Sequence, residues 1–251
     1  MDPAVTQASG RIVAPPSLAA LAKEQLIDGV LSGTYLPGER LVEEKLCQQL
    51  GISRPPVREA LKELENAGLV VQIPRRGAIV APLTQHDVYE IVTLRNELER
   101  MAMMLALPDP PADRLQRCHR AIEEMERIVP TGNEVAMSRA GFDFHIAVIG
   151  LAQHRRLEDS YRSMALQLQV CMAMNTKARR DIEDLDGNVE RHRRILELIE
   201  TGTRAQVLEE LDAHGHQTFL LAAVDQLDGA SEASDRWLEK LRQRIDRNRP
   251  A

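Results

Sequence analysis

Aromatic residues are scarce in this chain: three Phe, three Tyr and one Trp among 251 residues. Its interior must therefore come from Leu, Ile, Val and Ala with nine Met, whose flexible thioethers make a relatively adaptable core. Cysteine is as sparse. Cys47, Cys118 and Cys171 are far apart and odd in number, with no paired spacing for zinc or a disulfide framework, which fits a reducing cytoplasm. No signal peptide is visible, and the longest apolar run, Met101 to Leu107, is far too short to span a bilayer, so no membrane partner is expected. A large excess of positive charge is missing too. Residues 11–82 hold nine Lys or Arg against eight Asp or Glu, and residues 83–251 hold 23 against 29. The larger part is thus no nucleic-acid surface, and any DNA affinity in the smaller one must come from local placement of arginines.

What is present divides into unlike segments. The length suits two domains, and a hydrophobic content of 43% supplies a core for each. Residues 1–16 carry Pro3, Gly10, Pro15 and Pro16 and predict a loose arm. Ser17 to Leu31 is amphipathic, with Leu18, Leu21, Ala22, Leu26, Ile27 and Val30, and stops at Ser32-Gly33. After the turn Leu36-Pro37-Gly38, the residues Leu41, Val42, Leu46 and Leu50 pattern a short second helix ending at Gly51. A third opens at Ser53-Arg54-Pro55-Pro56-Val57-Arg58: Ser53 can cap it, and both prolines fall where missing N–H groups are tolerated. Val57, Ala60, Leu61 and Leu64 then recur at helical steps, which leaves Arg54 and Arg58 outward, as a DNA-reading helix requires. Gly68 ends that helix, and Leu69 to Ile73 and Ala78 to Ala81 read as two strands around the basic tip Pro74-Arg75-Arg76-Gly77.

Pro37-Gly38-Glu39-Arg40-Leu41, Ser53 to Leu61, Leu64-Glu65-Asn66-Ala67-Gly68-Leu69-Val70 and Arg76-Gly77-Ala78 together resemble the winged helix-turn-helix of GntR family transcriptional regulators over residues 18–82. The resemblance implies that Arg40, Arg54 and Arg58 contact an operator from the helices while Arg76 and Gly77 enter the minor groove from the wing; Ser53 and Pro55 belong to the same helix start. A narrow minor groove attracts arginine and a glycine lets the backbone approach closely, so the physics agrees.

From Thr84 onward strand signals vanish. Thr84 and Asp87 resemble a capping box ahead of a helix through Val88, Val92, Leu98 and Ala102 that ends at Pro108 to Pro111. Further helices are predicted over Ala112 to Val129, from a capping box Thr131 to Glu134 as far as about Leu151, and over Leu157 to Lys177, Asp181 to Glu200 and Thr203 to Asp228. The fold class is mainly α, with an antiparallel helical bundle over residues 83–228 behind a winged helix-turn-helix over 17–82. Residues 229–251 form a tail in which Trp237, Leu238, Leu241 and Ile245 recur at helical spacing; it is read first as a surface helix docked on the bundle, otherwise as a contact with a neighbour or with its own wing.

His145, His192 and His214 each fall in a different predicted helix of the bundle. With Arg95-Asn96-Glu97-Leu98-Glu99, they resemble the FCD effector domain of the FadR subfamily over roughly residues 86–226. That resemblance implies three histidines and an aspartate holding a divalent metal, with a small carboxylate effector completing its coordination. The aspartate is missing, since its position, four residues before His145, is Gly141. Asp143 stands two residues from His145, about 200° round a helix, and should point away. Three imidazoles still suit zinc or nickel. Arg95 is the candidate grip for an effector carboxylate, with a plain Arg95–Glu99 helix pair as the competing reading. His86, His119 and His154 are expected to be ordinary surface or packed histidines, and His216 to face away from His214.

The function expected is that of a cytoplasmic, homodimeric, ligand-responsive repressor reading a palindromic operator. The alternative is a metal-dependent hydrolase or lyase built on the three histidines. Against it, no carboxylate shares the predicted face of His145 or His192 at a spacing suited to a general base.

Overall fold

The computed structural model describes residues 15–75, 77–171, 184–218, 224–225 and 227–247. Most of the expected N-terminal arm, Arg76 and the predicted helical residues 172–177, 181–183, 219–223 and 226 lie outside this set.

Helix α1 (Leu18–Leu31) starts where Ser17 Oγ accepts a hydrogen bond from the Ala20 amide, at 3.1 Å. Strand β1 (Arg40–Leu41), helix α2 (Glu43–Leu50) and helix α3 (Arg54–Asn66) follow, and Gly51, at φ 66°, turns the chain between the two helices. Strands β2 (Val70–Ile73) and β3 (Gly77–Val80) form the hairpin, with Ile73 opposite Gly77. The sheet is antiparallel with order β1-β3-β2. Leu26, Leu46, Val57, Leu61, Leu64 and Val80 close one core between the helices and this sheet.

Two expectations are corrected here. Leu41 belongs to a third strand, not to the second helix: Arg40 pairs with Ile79 and Leu41 with Ala78. The Leu36–Gly38 turn brings Gly38 and Glu39 against Val80 through two backbone hydrogen bonds of 3.0 and 2.9 Å, and this pairing supplies the strand. Ser53 occupies the N-cap of α3 with extended backbone, but its hydroxyl makes no capping hydrogen bond.

The second core is helical. Helix α4 (Gln85–Ala106) carries the Thr84–Asp87 capping box. Helices α5 (Ala112–Ile128), α6 (Glu134–Gly150), α7 (Arg155–Ser163), α8 (Leu185–Thr201) and α9 (Arg204–Thr218) follow, and residues 165–171 are also helical. Asn133, not Thr131, caps α6: its side chain accepts from the Ala136 amide at 3.0 Å, because Val129–Thr131 winds into a 3₁₀ turn and the Thr131 hydroxyl bonds back to Ile128. The helix expected from Leu157 begins two residues earlier, where His154 Nδ1 accepts from the Leu157 amide, and it is interrupted at Met164. Asp184 caps α8, so that helix begins later than Asp181. Among the described residues no helix is long and apolar enough to cross a membrane.

The tail forms helix α10 (Glu232–Arg247) and docks on α4. Trp237 lies with its ring centroid 5.9 Å from that of Tyr89, and Leu238 is buried in the bundle core. At its start Gln85 donates to Asp235, and Ser231 Oγ lies 2.7 Å from His86 Nδ1. The winged helix also touches the bundle directly, as Arg139 of α6 reaches Glu24 and Asp28 of α1 at 3.0 and 2.8 Å.

If α10 is an integral layer of the bundle, Leu238→Ala should destabilise the protein by about 2–5 kcal/mol, the cost of emptying a buried leucine site. Urea denaturation checks this, and an unchanged midpoint would show that the tail's docking contributes nothing.

Candidate functional site

Helices α6, α8 and α9 bring His145, His192 and His214 together, each 2% exposed, with one nitrogen of each within 4.8 Å of the others. His145 Nε2 and His214 Nε2 lie 3.1 Å apart. Two of the rings are oriented from behind. His192 Nδ1 lies 2.7 Å from the carbonyl oxygen of Asn188, which can only accept, so Nδ1 carries the proton and the Nε2 lone pair is free. That Nε2 is buried without a hydrogen-bond partner. His145 Nδ1 lies 3.1 Å from Glu99 Oε1, which likewise turns its Nε2 lone pair inward. Phe144 packs edge-on against both rings, with centroids 5.7 and 5.3 Å away. Three converging imidazoles, two of them with the outer nitrogen turned to an oxygen acceptor, are a donor set that suits zinc or nickel.

Behind the histidines lies a buried charge pair. Arg95 Nε donates to Glu99 Oε1 at 2.9 Å, and Tyr161 donates to the same oxygen at 2.7 Å. Arg95 Nη2 lies 3.2 Å from His145 Nε2. The helix-pair reading of Arg95 is thus realised, and the paired guanidinium also faces the histidines. Arg95 Nη1 and Glu99 Oε2 are buried without hydrogen-bond partners. Burial pushes the Glu99 carboxyl upward, but Arg95, His145 and Tyr161 outweigh it and hold the group at about 2. Arg95 stays charged: burial opposes its charge, and Glu99 and Tyr161 more than restore it. Burial lowers His145, and burial with the neighbouring imidazoles takes His192 and His214 well below the ordinary histidine value.

Gly141 faces this cluster. A β-carbon there would lie 3.3 Å from His192 Nε2 and 3.9 Å from Met125 Cε, so the position points at the histidines and supplies no carboxylate. Asp143 is exposed on another side of α6; desolvation by its surroundings raises its carboxyl against the opposing pull of Arg162 and Arg139. Glu99 was legible as the helix partner of Arg95 and as part of the Arg95 to Glu99 stretch that carries the FCD resemblance, whereas Tyr161 had no signal, because it arrives from a different helix. The other histidines have local tasks: His119 Nε2 is 2.8 Å from Glu200, His86 meets Ser231, and His154 caps α7. The His216 side chain lies outside the described residues.

At the winged helix, Ser53, Arg54 and Pro55 are exposed at the start of α3, and Arg58 is exposed one turn on. Arg58 Nε donates to Glu43 Oε2 at 2.9 Å, an exposed pair of small energetic weight that can exchange for a phosphate or base. Arg40 projects from β1 toward the wing, its Nη2 4.0 Å from where a Gly77 β-carbon would be. Gly77 has φ 84° and Arg75 φ 64°, so the hairpin tip turns through left-handed backbone. Arg76 lies outside the described residues.

A winged helix-turn-helix joined to a helical bundle that encloses three histidines and a buried arginine is the architecture of a transcription regulator with an effector domain. Residues 18–80 match the model of bacterial regulatory proteins of the gntR family and residues 90–217 match the FCD domain; the chain belongs to the GntR family and carries an FCD effector domain. It is 29% identical over 191 residues to the uncharacterized HTH-type transcriptional regulator YdhC of Bacillus subtilis, covering 76% of this chain and 84% of that one. The gluconate operon transcriptional repressor of the same organism is 23% identical over 213 residues, covering 84% and 83%. Among solved structures, a GntR regulator from Rhodococcus sp. RHA1 shares the fold at TM-score 0.66 and 23% identity, over 86% of this chain and 100% of that one. Escherichia coli McbR/YncC does so at TM-score 0.60 and 21% identity, over 92% and 100%. These relatives are regulators, and the hydrolase or lyase alternative finds no support among them.

The buried imidazoles predict a specific acid sensitivity of the metal-stripped protein. On unfolding they regain the ordinary value of 6.5, so below that pH the unfolded chain binds protons that the folded chain refuses. Stability should then fall by about 1.4 kcal/mol per pH unit for each such histidine as pH drops below that value. Glu99 acts in a lower window, where its contribution is kept above 4.5 and is lost as pH falls toward about 2. Urea denaturation between pH 7 and 5 measures the histidine part, and a flat profile would contradict the burial of neutral rings.

Proposed function

We propose that the protein is a homodimeric repressor that reads a palindromic operator through Arg40, Ser53, Arg54, Pro55, Arg58, Arg76 and Gly77, and that a small carboxylate bound near Arg95 controls its affinity. The observation that carries the effector reading is Arg95 itself: a buried guanidinium, held by Glu99, with Nη1 unpartnered beside three converging imidazoles. A carboxylate is the ligand class whose two oxygens match that fork. His145, His192 and His214 would hold a zinc or nickel ion, which when bound supplies a Lewis-acidic point for a carboxylate oxygen. Relatives named as operon repressors support repression over activation, and one of them is named for an operon of gluconate, a hydroxycarboxylate.

Leu94, Met101 and Leu105 of α4 are 51, 42 and 53% exposed and, with the partly buried Leu98, follow steps of four, three and four residues. Such a stripe suits packing against a second copy, which would place two winged helices on two half-sites. A route from effector to DNA is available in α6. The same helix carries Gly141 and His145 inward and Arg139 outward onto Glu24 and Asp28 of α1, so a ligand that favours one seating of α6 biases the seating of the winged helix.

Arg54→Ala or Arg58→Ala should weaken operator binding by about 1–3 kcal/mol with the bundle still folded, as read by fluorescence anisotropy and circular dichroism. Unchanged affinity would sink the recognition-helix assignment. His192→Ala should abolish metal retention, read by elemental analysis of untagged protein purified without chelator, while operator binding survives. Loss of both together would make His192 a structural residue instead.

A further inference from the structure

A cavity of about 360 Å³ lies away from the histidines, where the winged helix meets the bundle. Its size falls in the range of small-molecule sites, and domain junctions are a common place for them. Leu69 and the linker residue Pro82 line it from the winged-helix side, Ile91 from α4, and Met164 and Val170 from the end of α7 and the helical residues beyond. Those helical residues are held by both domains: Val170 is buried in the winged-helix core, and Leu168 and Cys171 in the bundle core. Gln167 crosses to Gly68, where a β-carbon would fall 2.6 Å from its Nε2. The cavity is therefore bounded by segments through which the winged helix and the bundle grip each other.

Its charged lining has one sign. Asp87 and Glu90, three residues apart on α4, both border it, and among the described residues no Lys, Arg or His does. Asp87 Oδ2 accepts from the amide and the hydroxyl of Thr84, while its Oδ1 takes no hydrogen bond from the described residues. Glu90 is exposed, with His86 Nε2 3.4 Å from its Oε1, an exchangeable pair of small weight.

We propose that this junction cavity is a second ligand site, for a small molecule with an apolar body and an ammonium head. The apolar body displaces water from Leu69, Ile91, Met164 and Val170, and the ammonium donates to Asp87 Oδ1 and to Glu90. This ligand is opposite in charge to the one that Arg95 selects, so the two sites do not compete for one compound. An occupant touches both domains at once and favours the arrangement that encloses it.

The test uses the full chain carrying ¹³C-methyl methionine, in which Met164 reports the junction and Met125 the surroundings of the histidines. Met164→Leu and Met125→Leu assign the two signals. Three probes of similar shape are titrated at neutral pH and matched ionic strength: 2-phenylethylamine, 2-phenylethanol and 3-phenylpropionate. The amine should shift the Met164 methyl saturably and leave Met125 in place, binding at least about tenfold more tightly than the alcohol, and 3-phenylpropionate should leave Met164 unmoved. Glu90→Gln should weaken the amine about threefold and Glu90→Lys should abolish its binding; the position is exposed, so both variants should fold, as circular dichroism checks. With the amine bound, hydrogen exchange should slow in residues 66–72 and 163–170 together. Equal response of Met164 to all three probes, or to none, would overturn the proposal. So would an amine that shifts Met125 in place of Met164, and protection confined to one side of the junction would overturn the bridging of the two domains.

Discussion

The bundle is organised around one oxygen atom, Glu99 Oε1. Arg95, Tyr161 and His145 all converge on it, from α4, α7 and α6. A carboxylate taken out of water at such a point is tolerable only because a guanidinium and two further donors surround it, and removing any of them would leave buried charge or polarity uncompensated. The same group sets the chemistry of the pocket. It holds the guanidinium at the histidines and turns His145 so that its second nitrogen faces inward, while Asn188 does the same for His192. Placement of three helices, orientation of His145 and the charge of the cavity are thus consequences of a single buried interaction.

At Gly141 the face of α6 turned to the histidines carries no side chain. In a pocket with its own aspartate the charge of a metal would be partly met by the protein. Here the facing position has no side chain, and the nearest protein carboxylate is committed behind the rings. Arg139 ties the helix bearing this site to α1 through two partly exposed ion pairs. Pairs of that kind contribute little stability, so their rearrangement opposes a shift of the winged helix only weakly.

Much of this was legible in order along the chain, and the failures have local causes. Periodicity located the long helices, and capping residues located several of their starts. The two-residue strand Arg40–Leu41 was hidden because no periodicity can be read over two residues and Leu41 fits a helical face as well as a strand. The cap of α6 was displaced from Thr131 to Asn133 by a 3₁₀ turn that simple spacing does not announce. At the site, the three histidines stood out by their places in different predicted helices, while the missing carboxylate at position 141 was legible only through the resemblance to the FCD domain. Tyr161 could not, since its link to Glu99 is formed between helices far apart in the chain.

What the amino-acid order determined alone is whatever depends on near neighbours: the winged helix with its outward arginines, the helical character of the remainder, and the absence of a carboxylate one turn before His145. Helical geometry carries such facts, because residues three and four apart share a face wherever the helix goes. Only the tertiary structure decided that Arg95 lies on His145, that Glu99 stands behind the imidazoles and not among them, that Gly141 faces His192, and that the tail packs on α4. Those relations are set by how whole helices settle against one another, where burial of apolar surface fixes the packing and the few buried polar groups must find partners within it.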